Sequence, residues 1–153
     1  MQIKYDITVE NKEFLKSLEK MEDQLYDEVM KQMLSSGAGV IETHAKFNLD
    51  RWGLRKTGNL INSVKFGKVK RTGRKSFIEV GSFGIIYNKI HEFGGIIVPK
   101  RKKMLHWINE DGEDVFAKMV TIPARPYLRP AVEENTEEIT DAMANVLNRF
   151  IQK

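Results

Sequence analysis

"IPARPYLRPAVEE", residues 122–134, places three prolines within eight positions, with arginines directly before two of them. A residue that precedes proline is pushed out of the helical region, so Ile122, Arg125 and Arg129 are expected to be extended. Pro130 suits the first position of a helix, where its missing N–H costs nothing. Glu133 and Glu134 would then lie in the first turn, near the positive end of the helix dipole. Val132, Ile139, Met143, Val146, Leu147 and Phe150 give that helix one apolar face. The stretch therefore reads as a stiff strut that carries a last strand into a C-terminal helix. Each compatible proline stabilises it by ~0.4–1 kcal/mol by restricting the unfolded chain.

Upstream of the strut the periodicity is that of a strand, then a helix, then more strands. "IKYDITVE" (3–10) alternates Ile3, Tyr5, Ile7 and Val9 with polar neighbours, the pattern of a half-buried strand. Asn11 can cap a following helix. In that helix Phe14, Leu15, Leu18, Met21, Leu25, Val29 and Met33 recur at three- and four-residue steps. "SSGAGV" (35–40) predicts a kink or short break, because glycine weakens a helix by about 1 kcal/mol relative to alanine. Helix is expected to resume through Val40, Ile41, His44 and Phe47. Thr57 is placed to cap a turn of helix in "TGNLINSV".

Two strands are expected at about 63–70 and 75–82, with "KRTGRK" turning between them. "GIIYNKIHEFGG" fits a short helix or a strand, and its glycine pair ends it in either case. "IIVPKRKKMLHWI" reads as strand, basic bend and strand. "EDGED" reads as a hairpin turn and "VFAKMVTI" as one strand entering the strut. The sum is an α+β fold, a mainly antiparallel β-sheet packed by a long N-terminal helix and a C-terminal helix, in a single domain over 1–153.

Composition narrows the chemistry. The absence of cysteine removes disulfides, thiolate catalysis and cysteine-ligated zinc. No apolar leader opens the chain, and no run approaches the ~20 apolar residues of a membrane span, so no membrane association is expected. His44, His91 and His106 are scattered, and "HEFGG" lacks the second histidine of a zinc-protease motif. No phosphate-binding loop, nucleophile elbow or dinucleotide fingerprint is present. The expectation is a protein that is not an enzyme, with no cofactor, no metal and no small-molecule substrate.

Charge is distributed unevenly. Residues 1–50 hold six Lys/Arg against ten Asp/Glu, residues 51–103 fourteen against two, and residues 104–153 five against nine. A basic middle between acidic ends suits either nucleic-acid contact or self-association through complementary surfaces. The basic residues gather in a hairpin arm at about 65–75 (Lys65, Lys68, Lys70, Arg71, Arg74, Lys75) and a bend at about 99–104 (Lys100, Arg101, Lys102, Lys103). On one face they would bind duplex DNA in a salt-dependent way. Aromatic residues are too sparse there for a single-strand stacking platform.

Three motifs, "TGNLINSV" (57–64), "VGSFGIIYNKIHEFGG" (80–95) and "IPARPYLRPAVEE" (122–134), occur in an order that resembles the neck and tail-completion proteins of tailed phages. These are the small head–tail joining proteins that include the gene-product-ten-like tail components. The matching positions are Thr57, Gly58, Leu60 and Ser63, then Tyr87, Glu92, Phe93 and Gly94, then Pro126, Leu128, Pro130 and Ala131. Asn88 stands where that family carries a small residue. The segment 99–126 is also similar to the virion-morphogenesis proteins of contractile-tailed phages.

The resemblance implies a non-enzymatic virion protein of the neck or tail terminus, assembled in the host cytoplasm. Its partners would be copies of itself in a ring and the neighbouring connector and tail proteins. The basic hairpin and bend would then be arms that become ordered on assembly. Phe93 is expected to be buried, and Gly94 to take a positive φ. A basic module that contacts duplex DNA non-specifically is the alternative.

Overall fold

The structure is a computed structural model that describes residues 4–7 (as backbone), 23–55, 57–73 and 75–152. The expected cap at Asn11, the helical positions Phe14 to Met21 and Arg74 lie outside the described residues.

A short strand, β1 (Lys4–Ile7), precedes the long helix α1 (Asp23–Arg51). A turn of helix, α2 (Asn59–Ser63), leads into β2 (Val64–Phe66), β3 (Lys70–Thr72) and β4 (Lys75–Ser82). These strands form the main antiparallel sheet, in the order β1-β4-β2, with β3 also on β4. Phe66 pairs with Val80 and Lys70 with Phe77, so three residues of one strand face two of the other. The extra residue makes a β-bulge, anchored where the Gly67 N–H donates to the Glu79 carbonyl at 2.8 Å. The segment expected as one strand over 63–70 is thereby split in two.

Along α1 the buried positions are Tyr26, Val29, Met30, Met33, Leu34, Gly37, Ala38, Ile41, Ala45 and Leu49, a continuous stripe at helical spacing. Leu25 and Phe47, expected on that stripe, are exposed. The helix lies between two layers. Buried Val64, Ile78 and Val80 of the sheet form part of the same core as buried Leu128, Ala131, Ile139, Met143 and Val146 of the C-terminal helices. The C-terminal helix packs on α1, which in turn packs on the sheet.

The "SSGAGV" run does not interrupt α1. Its small residues are the contact with the last helix. A Cβ on Gly37 would stand 3.0 Å from Met143 Cγ and Sδ, and the Ser36 hydroxyl donates to the Ala142 carbonyl at 3.2 Å. Close approach of two helices outweighs the propensity cost that predicted a break. A Cβ on Gly39, two residues on, would meet nothing within 4 Å among the described residues. Two substitutions in one helix should therefore have opposite signs. Gly37→Val should lower the unfolding free energy by about 1–3 kcal/mol through overpacking, and Gly39→Ala should raise it by about 0.5–1 kcal/mol. Urea unfolding midpoints of the two variants read the difference directly.

After β4 the chain forms α3 (Asn88–Phe93), then β5 (Gly95–Ile97), β6 (Leu105–Ile108), β7 (Asp114–Ala117) and β8 (Val120–Ile122). The ambiguous segment is thus a helix, and "VFAKMVTI" is two strands in different sheets. β5 pairs with β8 and β6 with β7, each antiparallel and two-stranded. Two helices close the chain, α4 (Leu128–Glu133) and α5 (Thr136–Ile151). They replace the single expected helix.

Pro130 is the third residue of α4, and Arg129 is helical. Glu133 ends α4 rather than standing in the first turn of a long helix. Pro130 still lies where no intrahelical N–H is needed, which is why the start of α4 tolerates it despite the usual bias on the preceding residue.

Candidate assembly surface

Two of the sequence motifs meet in space through one carboxylate. Glu92, on α3, is 3% exposed. Its Oε2 accepts the backbone N–H groups of Tyr127 and Leu128 at 2.8 and 3.0 Å, and its Oε1 accepts that of Arg129 at 2.9 Å. A helix start leaves four backbone N–H groups without intrahelical partners. Here three go to one buried anion, and at the fourth position Pro130 has no N–H to satisfy. Charge-assisted bonds of this kind are stronger than neutral ones. The prolines and the Glu-Phe-Gly turn are parts of one joint.

The joint has further fastenings. The Arg125 N–H donates to the His91 carbonyl at 2.7 Å. Gly94 has φ 69° and ψ −177°, a region essentially confined to glycine, and a Cβ there would lie 2.7 Å from the Ala124 nitrogen. The expected positive φ at Gly94 is observed. Phe93 is not buried: it is 61% exposed, because Glu92 takes the inward position of α3.

Asn88 is fully enclosed; its Nδ2 donates to the Ser82 carbonyl at 3.1 Å and ties α3 to the end of β4. Burial, and then the Arg125 charge, hold His91 below its usual range. Burial pushes the Tyr127 phenol up to about 12, with a smaller contribution from Glu92 opposed by the nearby Ser82 hydroxyl. Among the described residues the phenol has no hydrogen-bond partner at normal length.

Leu60, Ser63, Leu128 and Ala131 are buried. The Ser63 hydroxyl reaches the Leu60 carbonyl and the Ser82 hydroxyl, each at 2.6 Å. The Thr57 hydroxyl accepts the Asn59 N–H at 3.4 Å, one residue ahead of Gly58, which occupies the cap position of α2. Tyr87 occupies the position before α3 without a side-chain capping bond and meets His91 edge-on, and the Pro126 carbonyl accepts the Trp52 indole N–H at 3.1 Å.

The basic cluster divides. Arg71 bonds Asp27 at 2.7 Å and Asp23 at 3.3 Å and lies 4.8 Å from the centre of the Tyr26 ring. Lys70 pairs with Glu79 at 2.9 Å. These two cations hold the hairpin to α1 and across the sheet, a role not legible from their spacing. Lys65, Lys68 and Lys75 are exposed on the hairpin, and Lys100, Arg101, Lys102 and Lys103 on the bend. The two groups belong to different elements.

The least covered part of the molecule follows Gly94. Among the described residues between Val80 and Tyr127, no apolar side chain belongs to the buried core. Ile96, Val98, Met104, Ile108, Phe116 and Met119 are exposed. The segment 95–122 is a two-stranded arm whose ladders pack chiefly on themselves. This concentration of exposed apolar side chains in one segment makes the arm the candidate interaction surface.

Among the described residues no group of three or more His, Cys, Asp or Glu could hold a metal ion, and no helix is long and apolar enough to cross a membrane. What the fold and this surface define is an α+β body that presents an apolar arm. The chain belongs to the HK97-gp10-like family, described as "Bacteriophage HK97-gp10, putative tail-component", whose model matches residues 12–94. The matched span holds Glu92 and Gly94 and ends where the arm begins. No curated protein and no solved structure matches the chain.

Proposed function

We propose that this protein is a non-enzymatic structural component of the phage virion, placed at the head–tail connector or the tail terminus, where copies join in a ring. Membership of the tail-component family is the observation that carries the reading. The exposed arm and the unequal charge of the three sequence segments support it, since head-to-tail rings need two different and complementary surfaces on each subunit. Particles assembled without this chain should accumulate as separate heads and tails, or with tails of irregular length, and adding the purified protein should restore joining. Normal infectious particles in its absence would refute the proposal.

A second reading, contact with duplex DNA, is favoured by the exposed lysines of the hairpin and the bend. It is weakened by the intramolecular pairing of Lys70 and Arg71. The seven exposed cations of hairpin and bend would give a log–log salt slope of about −6 if all met phosphates. A titration of purified protein on duplex DNA separates the two readings. Tight binding with a slope of that size favours DNA contact, and weak binding alongside rings favours the assembly role.

A further inference from the structure

The outer part of the arm is the hairpin β6–β7, with Leu105 opposite Ala117, His106 opposite Phe116, Trp107 opposite Val115 and Ile108 opposite Asp114. Its two faces differ. Leu105, Val115 and Ala117 are half-buried on one, beside Trp107 (39% exposed), whereas Ile108 (65% exposed) and Phe116 (60% exposed) stand in solvent on the other, with His106 and Asp114. On the exposed face His106 stacks on Phe116 with ring centres 4.7 Å apart and bonds Asp114 at 2.5 Å, so the ring positions are held. A two-stranded hairpin with an uncovered apolar face is marginal by itself.

Charge indicates what covers it. One end of the hairpin is the exposed bend Lys100–Lys103, with four cations in succession. The other end is a turn bearing Glu110, Asp111 and Glu113, next to Asp114. Its shape is set by Asn109, whose Oδ1 accepts the N–H groups of Asp111 and Glu113 at 3.0 and 2.8 Å. About 14 Å of strand separates the two ends at ~3.4 Å per residue. A two-fold axis through the middle of the hairpin brings each end onto its opposite in a second copy, and the apolar faces onto each other. Parallel pairing would set four cations against four.

We infer that two copies of this chain pair through their arms, antiparallel, with the Ile108–Phe116 face of each on that of the other and each basic bend on the partner's acidic turn. The contact is isologous, a single self-complementary patch. It goes beyond the ring reading, which needs two different surfaces, and it stands or falls separately. The acidic helical face of Glu137, Glu138 and Asp141 on α5 also attracts cations, but it offers no counterpart to the acidic turn.

The test is sedimentation velocity of the full chain and of charge variants. The native chain should form dimers with a dissociation constant on the order of micromolar, weakening as salt rises. Ile108→Ser with Phe116→Ser should weaken dimerisation by about ten-fold or more, while Phe47→Ser, on α1, should not. Lys102→Glu with Lys103→Glu should also break the dimer, as should Asp111→Lys with Glu113→Lys. Mixing those two charge variants should restore a one-to-one heterodimer. Because the arm adds nothing to the core and Phe47 is itself exposed, all these variants should keep the native circular dichroism. A monomer at every concentration would overturn the inference. So would an oligomer indifferent to Ile108 and Phe116, or one broken by the basic-bend change but not by the acidic-turn change, which would place the bend on the helical face instead.

Discussion

Replacing Glu92 by alanine should lower the unfolding free energy by about 3–5 kcal/mol, the range seen when one partner of a buried charged interaction is removed. Three backbone N–H groups, those of Tyr127, Leu128 and Arg129, lose their acceptor together. Tyr127 and Leu128 are fully buried, so water cannot readily take the carboxylate's place. Out of a total stability of about 5–15 kcal/mol for a domain, this is a large share. Glu92→Gln should cost less, about 1–2 kcal/mol, because its carbonyl keeps two of the bonds while its amide N–H₂ faces a donor. Urea denaturation with an unchanged m-value would register both as shifts of the midpoint. A loss below about 1 kcal/mol for the alanine variant would mean that the start of α4 is held by something other than this carboxylate.

Gly94→Ala should be nearly as damaging, at about 3 kcal/mol or more. Two independent penalties combine at this position. The φ and ψ lie in a region essentially reserved for glycine, which costs other residues about 1–3 kcal/mol. The added methyl would also press to 2.7 Å from the Ala124 nitrogen and 3.0 Å from the Ile122 carbonyl oxygen, backbone atoms that cannot swing aside. Thermal unfolding of the variant measures the sum. A double variant with Glu92→Ala should lose less than the two single losses added, because both substitutions sever α3 from the same segment, residues 122–129. Full additivity would show that the carboxylate and the glycine act on separate structures.

If the joint fails, the consequence extends past α4. The arm leaves the body at Gly94 and returns at Ile122, so Glu92 and Gly94 set where its apolar and charged surface is presented. A destabilised joint would misplace the arm even while the α1 core remained folded. The proposed assembly role and the proposed arm pairing both depend on that placement, which connects two buried residues to an exposed surface.

Local patterns predicted much of this well. The three- and four-residue spacing of Val29, Met33 and Ile41 identified α1, the alternation of Ile78 and Val80 identified β4, and Ile139, Met143 and Val146 identified the buried face of α5. Each of these signals lies within a few residues of chain, where side-chain period and element geometry correspond directly. Signals of the same range also misled. Small residues at 35–40 predicted a break in α1, yet they are where Met143 and Ala142 approach. The aromatic character of Phe93 predicts an interior position, but the neighbouring Glu92 carboxylate holds that place.

In the sequence Arg71 reads as one of a basic hairpin cluster, because its carboxylate partners Asp23 and Asp27 lie more than forty residues earlier in the chain. The candidate surface was half legible. The cations of the bend and the acidic turn could be counted in the chain, but their positions at opposite ends of one uncovered hairpin follow from the pairing of β6 with β7.

Sequence by itself determined the class of fold, most of the helical stripes, the turns at 71–75 and 110–114 and the resemblance to tail components, because periodicity, glycine and proline act over short stretches of chain. Tertiary structure decided that Glu92 caps a helix starting some 35 residues later, that a glycine-rich run is a helix contact, and that the arm stays outside the core. The physical reason is common to all three. A backbone N–H, a van der Waals gap or an uncovered face takes its partner from whatever the folded chain brings near it, and sequence separation places no limit on that choice.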